Sequence, residues 1–249
     1  MQKEVLIVLP AYNEEASIGA FLRKLTVSPA MKFADVVVIN DASRDSTEQI
    51  ARAAGVTVLN HPFNLGYGSA LQTGYKYAVT GNYRYLIQLD SDGQHDVCNV
   101  GMLYRQLKAT VDTPDLVIGS RFLAGSQSFT ISPVKKLAIA FFRKFIRLTS
   151  GQRITDPTSG LQGMNRDVFS YYAKYGHFDT NYPDANMIVQ MSLLNYRIRE
   201  IPAVMHQREA GQSMHFGIIE PMCYMFIMVF STCNVYLRNR KNTKRGIHH

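Results

Sequence analysis

Short apolar segments, each followed by a polar turn and a helix-like stretch, alternate along the first half of the chain. Five segments have the length and apolar content of buried strands, at residues 4–9, 35–40, 56–59, 83–89 and 116–119. Helical patterns lie between them, at residues 14–25, 45–55 and 68–78 and between the last two strands. Such alternation predicts βαβ units, and thus an α/β fold with a mostly parallel central sheet. A chain of 249 residues is long enough for one large domain of this kind.

Polar residues follow four of these predicted strands at the point where each strand ends. They are Pro10, Tyr12 and Glu14, then Asp41, then Asp90 and Asp92, then Arg121. The carboxyl ends of parallel strands meet at one edge of a sheet, and ligands of open α/β sheets bind there. The sequence therefore predicts a ligand site built from carboxylates, an aromatic ring and an arginine.

The segment LDSDGQHD, residues 89–96, concentrates groups that bind hard cations. Asp90 and Asp92 stand one residue apart at a strand end, an arrangement suited to Mg²⁺ or Mn²⁺ with positions left for substrate phosphates. The alternative is a solvated acidic turn. His95 fits a polar surface residue better than a ligand. His215, in the polar loop HQREAGQSMH, is the stronger candidate metal ligand.

Several segments, taken together and in order, resemble the inverting family 2 glycosyltransferases of the type-A fold, and most of all the dolichyl- and undecaprenyl-phosphate sugar synthases. The segments are LPAYNEE, VINDASRDST, NLGYGSALQTGY, LDSDGQHD, IGSRF, DPTSGLQGMNR, YPDAN and REAGQSMH. The resemblance covers residues 4 to about 215. It implies a nucleotide-sugar donor, more readily UDP- than GDP-linked, a divalent metal and a single Rossmann-like catalytic domain at residues 1–215.

On the donor side, the resemblance assigns roles to residues after the first, second and fourth strands. Those lining the nucleobase and ribose pocket would be Pro10, Tyr12, Glu14, Asp41 and Asp90. Asp90 and Asp92 would hold the metal, with Gln94 as a further ligand. Asp41 has an alternative role in a helix-capping turn. Gly66 and Gly68 fit backbone turns better than a phosphate cradle, since a third glycine and a Walker lysine are missing.

On the acceptor side, the resemblance places Arg121 near the donor diphosphate or an acceptor phosphate. Asp184 stands where related transferases carry an acidic residue that is often the general base. Arg208 and Ser213 lie in a loop that closes over phosphates. Asp156 stands before Pro157, so the alternative to a role in the site is that it simply starts a turn.

The C-terminal region, residues 216–249, predicts an apolar helix followed by a basic tail. Five of the eight net positive charges lie in residues 238–245, which leaves 8 − 5 = 3 for the rest. The uncharged run 222–237 would extend about 24 Å as a helix, and a spanning helix needs about 20 apolar residues. We therefore expect an interfacial or re-entrant helix whose basic tail binds anionic lipid.

The segment 132–151 predicts a basic amphipathic helix. Its basic face would carry Lys136, Arg143 and Arg147, and its apolar face Leu137, Phe141, Phe145 and Leu148. An ordinary helix packed on the core is the alternative; the resemblance favours an interfacial helix. With no secretory signal at the N-terminus, we expect a peripheral or re-entrant protein at the cytoplasmic face of the cell membrane. Expected partners include a small membrane anchor protein or a second copy of the chain.

The chemistry expected is one displacement at the sugar C1 that inverts the anomeric centre as the nucleoside diphosphate departs. The acceptor favoured is a polyprenyl phosphate; the alternative is a sugar hydroxyl in cell-surface polysaccharide assembly.

A nucleotidyltransferase would carry a glycine- and arginine-rich loop where this chain has LPAYNEE. A nucleic-acid-binding module would join its basic residues to aromatics on a polar surface, whereas this basic tail adjoins an apolar segment.

Overall fold

A seven-stranded sheet forms the centre of the protein, seen in a computed structural model that describes residues 3–127, 133–180, 183, 185–207 and 219–243. The strand order is β3-β2-β1-β4-β6-β5-β7. The strands are β1 (Val5–Ala11), β2 (Ala34–Asn40), β3 (Thr57–Asn60), β4 (Tyr85–Gln88), β5 (Leu116–Ser120), β6 (Gln162–Asn165) and β7 (Ile198–Pro202). The predicted α/β fold with a mostly parallel sheet is confirmed.

Helices cover both faces of this sheet. They are α1 (Ile18–Thr26), α2 (Thr47–Ala53), α3 (Tyr67–Thr80), α4 (Cys98–Leu107), α5 (Pro133–Ser150), α6 (Arg166–Ala173), α7 (Ala185–Leu193) and α8 (Ile219–Thr243), with a 3₁₀ turn at Pro29–Lys32. Side chains alternate across each strand, so β1 contributes to two cores. Leu6 and Val8 pack with α3, while Val5, Ile7 and Leu9 pack with α1 and α4.

Strand β6 runs antiparallel to both of its neighbours, β4 and β5. Neither β6 nor the following helix α6 was predicted from the sequence. The reason is local: β6 reads QGMN, which has no run of β-branched residues and no apolar alternation. Its burial comes from the helices on the two faces of the sheet: Met164 packs with Phe169 of α6, and Gly163 lies against Leu103 and Leu107 of α4.

The register of the parallel strands brings the predicted ligand-binding edge together. Ala11 at the end of β1 pairs with Asn40 at the end of β2, and Val8 pairs with Gln88 at the end of β4. The residues that follow these strand ends therefore lie side by side, as the sequence predicted.

Helix α5 presents different residues to the core and to solvent. Its buried face carries Ile139, Phe142 and Ile146. Large apolar side chains exposed in its described part, residues 136–150, are Leu137, Phe141 and Leu148. The predicted basic face is retained for Lys136 and Arg147, which are exposed. The Arg143 side chain instead turns to the protein: Nε donates to the Thr155 carbonyl at 2.6 Å, and the guanidinium lies 4.4 Å from the Phe122 ring centroid.

Helix α8 packs against α7 and α5. The Asn186 amide of α7 donates to the Ser231 hydroxyl of α8 at 2.7 Å, and the rings of Phe145 and Tyr236 meet edge to face. Among the described side chains of α8, residues 227–239, the large apolar ones that are exposed are Ile227, Phe230 and Leu237. Within the described ranges, no helix has the length and apolar character required to cross a membrane.

Candidate active site

Asp41 anchors the loop that leads from β3 into α3. Its Oδ1 accepts hydrogen bonds from His61 Nδ1 at 2.6 Å and from the Leu65 amide at 2.9 Å, and its Oδ2 accepts from the Gly66 amide at 2.8 Å. Gly66 has a φ of +91°, which favours glycine, so it serves a backbone turn as expected. Asp41 is almost fully buried. Its contact with a nucleobase stays a prediction.

The loop after β1 carries the first group of predicted nucleotide-binding residues. Tyr12 is 42% exposed, so its ring is open to stack on a base. Glu14 Oε2 accepts a hydrogen bond from Ser17 Oγ at 2.6 Å. Ser91 Oγ donates to the Pro10 carbonyl at 2.7 Å, and the Ser91 carbonyl oxygen lies 3.2 Å from Ser17 Oγ. Ser91, which lies between Asp90 and Asp92, thus connects the predicted metal ligands to the predicted nucleobase pocket.

Both oxygens of Asp90 accept hydrogen bonds from protein side chains. Tyr67 Oη donates to Oδ1 at 2.9 Å, and His95 Nε2 lies 3.1 Å from Oδ2. Burial by itself would raise the pKa of Asp90, but the hydrogen bonds from His95 and Tyr67 and the positive charge of Arg121 outweigh it and lower the pKa below its usual 3.8. Asp90 is therefore ionised at neutral pH. An ionised carboxylate only accepts, so the ring proton of His95 sits on Nε2.

His95 differs from its sequence-based expectation. It is 3% exposed, so the prediction of a polar surface residue is wrong. It is buried because the segment after it lies against residues 204–206: Asp96 N donates to the Val204 carbonyl at 3.1 Å, and His206 N donates to the Gln94 carbonyl at 2.7 Å.

Asp92 and Gln94 occupy a tight turn beside Asp90. The Gln94 amide N–H donates to Asp92 Oδ1 at 3.0 Å, and Gly93 between them has a φ of +78°. In the part of the chain that the structure describes, no group of three or more His, Cys, Asp or Glu is placed to hold a metal by itself. Mg²⁺ and Mn²⁺ are commonly held by one or two carboxylates together with substrate phosphates. The carboxylate and amide donors present fit such an ion.

Arg121 forms a two-point ion pair with Asp156. Its Nε and Nη2 each lie 2.7 Å from a carboxylate oxygen, and its backbone N–H donates to the same carboxylate at 3.0 Å. Nη2 also donates to Thr158 Oγ1 at 2.8 Å. Asp156 is fully buried, so it is more than a turn residue. The predicted contact of Arg121 with a phosphate is untested, and any such contact would form on a guanidinium already held by a carboxylate.

Glu200 on β7 binds the segment that carries Asp156. Its carboxylate accepts from the amides of Thr155 at 2.7 Å and Asp156 at 2.8 Å. Burial, the largest effect, raises the pKa of Glu200 above its usual 4.5, and the charge of Asp156 adds to the rise.

The loop DPTSG, residues 156–160, connects the Arg121 and Asp90 parts of the site. Gln88 Nε2 donates to the Gly160 carbonyl at 3.0 Å, which ties the loop to β4. A Cβ added at Gly160 would lie 3.0 Å from Asp90 Oδ2, so the backbone passes close to that carboxylate. This loop therefore lies against Asp90, predicted to bind the nucleotide sugar, at one end and holds Arg121 at the other.

Four predicted site residues lie outside the described residues: Asp184, Arg208, Ser213 and His215. Sequence reasoning missed the parts played by Tyr67, His95, Asp156 and Glu200 in holding the site. Tyr67 could have been found from the sequence, because it lies in the first turn of α3, near the edge of the sheet where the parallel strands end. Glu200 offered none, since it lies within a strand whose neighbours could not be known.

Comparisons with known proteins agree on the family. The model described as glycosyl transferase family 2 matches residues 6–172. An undecaprenyl-phosphate mannosyltransferase from Micrococcus luteus is 32% identical over 222 residues, covering 86% of this chain and 89% of that protein. A polyprenol monophosphomannose synthase from Mycolicibacterium smegmatis is 25% identical over 255 residues, covering 98% of this chain and 91% of that one.

Solved structures show the same fold. Glucosyl-3-phosphoglycerate synthase from Mycobacterium tuberculosis, in complex with Mn²⁺, UDP-glucose and phosphoglyceric acid, matches with a TM-score of 0.69 at 18% identity, over 94% of this chain and 80% of that one. At this identity the likeness concerns architecture alone. It agrees with the type-A fold that the sequence predicted.

Proposed function

Since this chain belongs to glycosyl transferase family 2, we propose that it transfers a sugar from a UDP-sugar to a polyprenyl phosphate, with inversion and with Mg²⁺ or Mn²⁺, at the cytoplasmic face of the cell membrane. One observation carries the proposal. Asp90 and Asp92 stand at the carboxyl edge of a parallel sheet and are tied through Ser91 to the Pro10–Glu14 loop, in a chain whose relatives are named for polyprenyl phosphates.

On the donor side, the Tyr12 ring would stack on the nucleobase and Asp90 would bind the ribose. Asp92 and Gln94, with Asp90 beside them, would hold the metal ion, which would supply positive charge against the departing diphosphate. A fixed arrangement of charged groups acts best where charge develops in the transition state. Arg121, held by Asp156, provides such a fixed positive group. The hydrogen bonds that hold Asp41 and Asp90 would fix the groups that position the donor and the metal ion.

On the acceptor side, the nature of the nucleophile separates the two candidate reactions. A hydroxyl keeps its proton at neutral pH and needs a general base, for which Asp184 is the candidate. A phosphate monoester is already an anion and needs cations to hold it beside the sugar C1. We assign that task to Arg121, with the Asp156 carboxylate fixing the direction of its guanidinium, and to Arg208.

Exposed apolar side chains support a membrane surface on the α5 and α8 side of the protein. Leu137 is 67% exposed, Leu148 76% and Phe230 73%. Lys136, Lys144 and Arg147 are exposed on α5 as well, and basic residues beside apolar ones suit anionic lipid headgroups. We propose residues 1–215 as the catalytic domain and 216–249 as the membrane-associating part, with a small anchor protein or a second copy as further partners.

Transfer of radiolabelled sugar tests the proposal. UDP-sugars with Mn²⁺ are offered together with undecaprenyl phosphate, or with a panel of free sugars and lipid-diphosphate sugars. We expect labelled polyprenyl-phosphate sugar, little product after chelation, and at least a hundredfold lower kcat for Asp92→Asn, since one well-placed charged group commonly contributes about that much. Product formed only with the hydroxyl acceptors would refute the proposal in favour of polysaccharide assembly.

Two further variants distinguish the acceptors. Asp184→Asn should impair transfer to a phosphate through positioning alone, whereas it should abolish transfer to a hydroxyl. Arg208→Ala should be severe only if its charge faces a phosphate. Loss of all product in Asp184→Asn, with Arg208→Ala unaffected, would contradict the phosphate acceptor.

A further inference from the structure

We infer that Tyr67 and His95 are positioning residues for donor binding, which together lock the carboxylate of Asp90 in one orientation. The inference rests on the proposed function, since it concerns the site proposed to bind the nucleotide sugar. It assigns a task to two residues that lie outside the predicted set of ligand-binding side chains.

The first step is the geometry around the carboxylate. The terminal torsion of an aspartate is broad, and its carboxylate rotates easily. Here Tyr67 holds Oδ1 and His95 holds Oδ2, from two different segments of the chain. With a donor on each oxygen the carboxylate cannot rotate without breaking a hydrogen bond to a charged group. Each oxygen keeps a second acceptor position for a ligand.

The second step is the cost of the histidine. The His95 side chain is 2% exposed, and none of the described residues provides a hydrogen-bond partner for its Nδ1. A buried polar atom without a partner lowers stability, and an apolar side chain of similar size would avoid that loss. Stability alone therefore does not account for a histidine at this position, whereas the hydrogen bond from Nε2 to Asp90 does.

The third step is the absence of a side chain at residue 160. A Cβ there would lie 3.0 Å from Asp90 Oδ2 and 3.3 Å from the Tyr67 hydroxyl. Gly160 has no positive φ, so alanine would be acceptable to the backbone itself. The close approach therefore disfavours a larger residue, and the DPTSG loop packs against one side of the carboxylate.

The experiment compares single substitutions in the full-length chain. Tyr67→Phe removes one hydroxyl, His95→Leu removes the second donor, and His95→Gln keeps an N–H at a comparable position. We expect Tyr67→Phe and His95→Leu each to raise the KM for the UDP-sugar and the Kd for UDP with Mn²⁺ by on the order of tenfold, because each loses a hydrogen bond to a charged group. kcat should change less than KM, and His95→Gln should recover most of the affinity.

Matched controls separate positioning from stability. Tyr83→Phe removes a hydroxyl that donates to Asp35 Oδ2 at 3.1 Å, at the opposite edge of the sheet. It should lower the melting temperature about as much as Tyr67→Phe while leaving the Kd for UDP unchanged. Gly160→Ala should weaken UDP binding, while Gly101→Ala, where a Cβ meets no atom within 4 Å, should not.

The outcomes are distinct. If Tyr67→Phe, His95→Leu and Gly160→Ala bind UDP as the wild type does, or lose affinity no more than their controls, the positioning role is refuted. If the wild type itself neither binds UDP with Mn²⁺ nor transfers sugar, the proposed function fails instead. A wild type that binds UDP, with loss confined to the three variants and recovery in His95→Gln, supports both.

Discussion

Replacing Asp156 by asparagine tests whether the ion pair with Arg121 holds the active-site loop together. The substitution keeps the size of the side chain and removes its charge. Asp156 is fully buried and the Arg121 side chain is 14% exposed, so water cannot easily replace the lost carboxylate. Asparagine offers one oxygen in place of two, and its amide would face the donors of Arg121.

The expected loss of stability is about 3 kcal/mol, at the lower end of what removing one partner of a buried ion pair costs. Two features of the structure place it there. The remaining oxygen can still accept from Arg121 Nε and from its backbone N–H, which share one carboxylate oxygen of Asp156. Removing the Asp156 charge also relieves its repulsion of Glu200.

Thermal and urea unfolding at neutral pH measure the effect, which corresponds to roughly 6–12 °C in Tm for a chain of this size. The matched control is Asp112→Asn, because Asp112 also pairs with an arginine, Arg199 at 3.0 Å, but is 76% exposed. Exposed pairs contribute about 1 kcal/mol or less. Equal stability losses in Asp156→Asn and Asp112→Asn would refute the reasoning.

Three further predictions concern packing, pH and the membrane. Gly74→Ala should lower stability by about 1–3 kcal/mol because its Cβ would overlap Val8; unchanged urea unfolding would contradict this. The pKa of Glu200 is raised by folding, so its contribution is fully present below its usual pKa of 4.5 and is lost as pH rises through the folded value. The stability of the wild type relative to Glu200→Gln should therefore fall as pH rises above 4.5, and a rise would count against it. Replacing Leu137, Phe141 and Leu148 together by serine should weaken binding to anionic vesicles by roughly a thousandfold, at about 1.5 kcal/mol per side chain, with UDP binding unchanged. If the triple variant floats with the vesicles as well as the wild type does, this surface is excluded.

The sequence by itself determined the strand and helix alternation and the edge at which the site lies. Apolar runs of strand length and the turns between them are local signals, so β1, β2 and β4 could be placed without a structure. The meeting of Tyr12, Asp41 and Asp90 at one edge then follows from parallel pairing alone.

Tertiary structure alone decided which groups hold these residues in place. Asp156 is 35 residues from Arg121, and His61 is 20 residues from Asp41. Such pairs depend on how loops cross the sheet edge, which no local pattern records. The same holds for the antiparallel pairing of β6 and for the burial of His95. Both lie in short polar segments, which are buried because other parts of the chain pack on them and not because of apolar residues of their own.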